Sequence, residues 1–85
     1  KVPAVAGASE NEARDRLQES TRLRRALEFW PGVAANLVGL AYLAAAEGRL
    51  DEVHVLLDEA EELAETGQAY GVLAWVREAR DGLPS

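Results

Sequence analysis

The sequence predicts an all-α fold of four antiparallel helices, arranged as stacked helical hairpins. Three observations carry that expectation. Ala, Leu, Glu and Arg dominate the chain, and all are good helix formers. Apolar residues recur at spacings of three and four, with no sustained alternation of apolar and polar positions. Breaks at Trp30-Pro31-Gly32, Glu47-Gly48-Arg49 and around Thr66-Gly67 cut the chain into helix-length pieces.

The opening residues 1–8, with Pro3 and Gly7, read as a flexible arm. A first helix starts at Ser9, because Ser9 and Glu12 have the S-x-x-E spacing of a capping box. It runs to about Phe29, since Trp30 precedes a proline and is pushed away from helical geometry. The second helix covers about Val33 to Ala46. It is apolar almost all round, the mark of a helix buried on several sides. Gly48 is the expected left-handed residue that ends it. The third helix, about Leu50 to Glu65, carries a stripe of Leu50, Val53, Leu56, Leu57, Ala60, Leu63 and Ala64. Asp51 and Glu52 in its first turn complement the helix dipole. A fourth helix, about Gln68 to Arg80, places Val72, Leu73, Trp75, Val76 and Ala79 on its apolar side, and Gly82 stops it. Residues 9–82 thus read as one domain and 83–85 as a tail.

Composition narrows the function. The chain has 85 residues, enough for one small domain. Lys1 at its head and the lack of Met suggest a piece of a longer or processed protein. There is no Cys, which removes disulfides, thiolate metal sites and a cysteine nucleophile. A net charge of −6 disfavours nucleic acid and anionic membranes as partners. The longest uncharged run, Val33 to Ala46, would reach only about 21 Å as a helix, short of a membrane core of roughly 30 Å. No signal-peptide pattern opens the sequence, so a cytoplasmic location is expected. Ser9, Ser20 and Ser85 have no nearby histidine and no glycine-rich phosphate loop is present, so neither an enzyme nor a cofactor is expected.

His54 is the single imidazole, with Asp51 three residues before it and Asp58 four after. That is metal-ligand spacing on one helix, but no second histidine exists to complete a site, and an ordinary surface histidine is the better reading. The third helix carries seven acids and no Lys or Arg, while the first carries Arg14, Arg16, Arg22, Arg24 and Arg25. The arginines are expected to face the acids of a neighbouring helix. An acidic face for a basic partner and a basic stripe for RNA are the alternatives. Trp30 and Trp75 fit either interface anchors or core and cap positions.

A shift of 34 residues superposes Leu23 on Leu57, Ala26 on Ala60, Phe29 on Leu63 and Leu40 on Ala74. With that shift, Ala34 to Gly67 resembles one full tetratricopeptide repeat. Leu37, Leu40, Ala41 and Ala44 match its first helix, Gly48, Leu50, Asp51 and Glu52 its turn, and Val53, Leu57 and Ala60 its second helix. Arg24 to Pro31 resembles the end of a preceding repeat. The matches are apolar in character but inexact in size: Val53 stands where the family prefers a small residue and Ala44 where it prefers an aromatic, and Gly71 and Trp75 stand where it would have an aromatic and a small residue. The segment Gly39 to Arg49 is also similar to helical-repeat regions of large bacterial LuxR-type transcriptional regulators.

The resemblance implies a concave groove lined by the first helix of each hairpin, here Ala35, Val38, Gly39, Tyr42 and Ala45. Gly39 stands where the family's carboxylate clamp has asparagine, and no Lys or Arg lies between Val33 and Ala46, so an acidic C-terminal tail is disfavoured as the ligand. The function expected is a protein–protein interaction module of a larger bacterial regulator, with a protein or peptide partner bound through that groove. The alternative is a self-associating four-helix domain that forms a homodimer, because isolated repeats cannot bury their own faces.

Overall fold

The computed structural model describes the backbone of residues 5–84 and the side chains of residues 11–84. Four helices follow one another: α1 (Val5–Ala26), α2 (Trp30–Ala46), α3 (Leu50–Thr66) and α4 (Tyr70–Gly82). The fold is all-α. Consecutive helices pack on each other, and α4 also returns to α2. The Cα radius of gyration is 13.3 Å, against about 12 Å for a compact chain of this length. The molecule, 45 × 29 × 19 Å, is a short layered array rather than a sphere.

The three turns between helices are built alike. Each closes with the paired backbone bonds of a Schellman motif. Phe29 N–H bonds Arg24 O at 2.8 Å, Arg49 N–H bonds Ala44 O at 2.9 Å, and Ala69 N–H bonds Ala64 O at 2.8 Å. The residue before each donor is left-handed: Glu28 at φ 57°, Gly48 at 78° and Gln68 at 55°. Gly48 therefore takes the conformation expected of it. In the third turn Gly67 has a φ of −88°, and the left-handed place falls to Gln68.

Several helix boundaries differ from the sequence reading; α4, for one, spans Tyr70–Gly82 and so includes Gly82. α1 starts at Val5, so Ser9 lies within the helix rather than at its cap. Residues 1–4 of the expected arm, and the Ser9 side chain of the expected capping box, lie outside the described residues. At its other end α1 stops at Ala26, because the turn at Glu28 has already reversed the chain before the proline is reached. Trp30 thus opens α2, and Pro31 occupies the first turn, where its missing N–H has no intrahelical acceptor. Gly32 is part of α2 and buried. A Cβ there would stand 2.6 Å from the Phe29 ring and 2.8 Å from Arg24 Cδ. Arg24 in turn lies over that ring at 5.6 Å.

The core explains why α2 is apolar on every side: it touches α1, α3 and α4. It gives Val33, Ala34, Leu37, Val38, Ala41 and Ala44 to the buried cluster. α3 adds Val53, Leu57, Ala60 and Ala64, and α4 adds Leu73, Val76 and Ala79. Leu40, Leu56, Leu63 and Val72 pack against this cluster, while Leu50 is half-buried and Trp75 exposed. The small alanines let the helix axes approach, and Leu and Val fill the space between.

α1 is held differently. None of its described apolar side chains is fully buried, and among its described residues only Thr21 is buried, its hydroxyl donating to Leu17 O at 2.5 Å. A polar chain joins it to α2. Asn36 Nδ2 donates to Ser20 Oγ at 3.0 Å, and Arg24 Nη1 donates to Gly32 O at 3.0 Å. The half-buried Leu17 lies against Gly39, whose hydrogen leaves room for it.

Candidate functional site

Positions 28, 48 and 68 stand twenty residues apart, so α2 and α4 begin forty residues apart, at Trp30 and Tyr70. Forty residues, rather than 34, is the spacing at which hairpin elements recur in the structure. Ala35 and Trp75 are therefore equivalent places on the two helices, as are Val38 and Glu78. These positions meet. Ala35, Val38, Gly39, Tyr42, Trp75 and Glu78 line one open groove of about 340 Å³ between α2 and α4. Ala45, the fifth candidate, does not line it; the residue is half-buried against the core.

The floor of this groove is alanine, valine and glycine. Its walls are two aromatic rings, with Tyr42 at 45% and Trp75 at 53% exposure. Glu78 is the one charged side chain at its edge. The sequence reading missed Trp75 and Glu78 as walls because the 34-residue shift carries Ala35 and Val38 to Ala69 and Val72 instead. A forty-residue shift would have found them.

Among the described charged residues outside the groove, some form ion pairs, while others, such as Glu12, Asp15, Glu62, Glu65 and Arg77, do not. Arg25 Nη1 meets Glu59 at 2.9 Å, the expected contact of an α1 arginine with an α3 acid. Arg80, on α4, meets Asp58 at 2.7 Å and Glu61 at 3.0 Å. These bonds, Asp58 first, raise the Arg80 pKa above its ordinary value, and partial burial opposes them. Arg14 pairs with Glu47 in the turn after α2, and Glu47 also holds Arg49 at 2.7 Å. Arg22 pairs within α1 with Glu19 at 2.5 Å and holds that carboxyl below its usual value.

His54 is exposed and lines a second, smaller cleft with Val53, Leu57, Arg80, Leu83 and Pro84. Asp58, the carboxylate expected beside it, is engaged by Arg80. Among the described residues, no group of three or more His, Cys, Asp or Glu is placed to hold a metal ion. No helix of the described residues is long and apolar enough to cross a membrane.

No protein-family model, curated protein or solved structure matches the chain.

Proposed function

We propose that this domain is a protein-interaction module, a short array of helical hairpins, which holds a partner segment in the groove between α2 and α4. The observation that supports this reading is the groove itself. It combines an uncharged floor with two half-exposed aromatic rings, the residue types enriched at binding hot spots. Exposed Tyr and Trp on one concave face have no packing role to explain them, whereas the core is complete without either. A place for the module in a larger bacterial regulator rests on the resemblance of Gly39 to Arg49 alone.

The test uses Tyr42→Ala and Trp75→Ala, because both side chains are exposed and their loss leaves the core intact. Val38 is unsuitable, being buried. A partner captured by the wild-type chain should be purified and its affinity measured against each variant. Removal of a hot-spot aromatic should weaken binding about tenfold or more. Equal affinity for wild type and the double variant would place the interface elsewhere.

A further inference from the structure

We propose that the groove selects a cationic segment: an apolar stretch bearing an arginine or lysine whose charged group rests against Glu78 and the faces of Tyr42 and Trp75. The proposal rests on the groove reading above and names the chemistry of its occupant. Glu78 has no ion-pair partner among the described residues, and its helix explains why. The positions that share its face are Ala74, Trp75, Asp81 and Gly82, with no base among them. Of the two α4 arginines, Arg80 is engaged by Asp58 and Glu61, and Arg77, the residue before Glu78, forms no ion pair with it. α2 contributes no charge of either sign between Val33 and Ala46, so no lysine or arginine of that helix can neutralise the carboxylate.

The two rings add to the same preference. A cation over the face of Trp or Tyr is attracted by the ring quadrupole, and arginine can also stack its planar group there. A carboxylate beside two exposed aromatic rings therefore favours a guanidinium or ammonium over any anion. Charge on the whole molecule agrees: at −6 the chain attracts basic segments and repels acidic ones. A second copy of the chain would bring a further −6 to the same surface, which disfavours self-association through the groove.

The experiment titrates the ¹⁵N-labelled chain with three synthetic peptides. All have leucines at i, i+3, i+4 and i+7, and they differ only in carrying Arg, Gln or Glu at the remaining positions. The expected result is that the Arg peptide shifts the Trp75 indole N–H and the Gly39 amide, and binds more tightly than the Gln peptide. Glu78→Gln should weaken the Arg peptide about three- to fivefold and leave the Gln peptide unchanged. If Arg and Gln peptides bind the groove equally, the cationic preference is overturned while the groove reading stands. If shifts fall on the acidic face of α3, or no peptide shifts the groove, both are overturned.

Discussion

Substituting Gly48 isolates the conformational strain of one turn. At φ 78° it occupies a region where an L-residue is disfavoured by about 1–2 kcal/mol. A Cβ built there would find no heavy atom within 4 Å, so no collision adds to the strain. Part of the penalty is offset, since alanine loses about 0.4–1 kcal/mol less conformational entropy than glycine on folding. Gly48→Ala should therefore destabilise by about 1 kcal/mol. Gly48→Val, β-branched, should cost more, within about 1–3 kcal/mol. Asn tolerates the left-handed region better, so Gly48→Asn should fall closest to wild type. For a domain of this length 1 kcal/mol moves Tm by about 4–8 °C. Thermal melts followed by circular dichroism at 222 nm would resolve the series. The order Asn, Ala, Val is the signature of backbone strain. A Gly48→Val chain that melts with the wild type would show that α2 does not end in a left-handed residue, and the α2–α3 hairpin would have to be redrawn.

The other two turns predict the opposite sign. Gln68→Gly and Glu28→Gly relieve left-handed strain and should each stabilise by about 0.5–1 kcal/mol in a urea titration. Gly32→Ala should destabilise the wild type, because its Cβ would press on the Phe29 ring and on Arg24 Cδ, and should cost less in a Phe29→Ala background, where only the Arg24 contact remains; a double-mutant cycle reads the difference. Leu57→Ala should cost about 2–5 kcal/mol, whereas Leu23→Ala should stay within about 0.5 kcal/mol of wild type. Arg22 holds the Glu19 carboxyl below its usual value, so the pair stabilises α1 above the usual carboxylate range and the gain is lost as pH falls through the lowered value. Glu19→Gln should accordingly flatten the acid limb of a pH–stability curve below that range.

The contrast between Leu57 and Leu23 shows what the sequence carried and what it did not. Helix identity was legible from apolar spacing, and the burial of Val53 and Leu57 followed from the same stripe. Spacing of three and four recurs in every amphipathic helix, however, so superposing two such stripes does not by itself fix a repeat length. The 34-residue shift matched Leu23 with Leu57, yet one is 48% exposed and the other 2%. Repeat length is set by where the backbone turns, and two of the three turns here use Glu28 and Gln68, residues with no strong left-handed signature. Only Gly48 announced its turn. With the turn positions known, the period becomes forty residues, Trp75, which fitted either an interface anchor or a core position, becomes the counterpart of Ala35, and Glu78 that of Val38. Four of the five groove residues named from α2 line the site, but its chemistry is set by the two α4 side chains opposite them. Tyr42 alone offers a ring; Tyr42 with Trp75 and Glu78 offers a place for a cation.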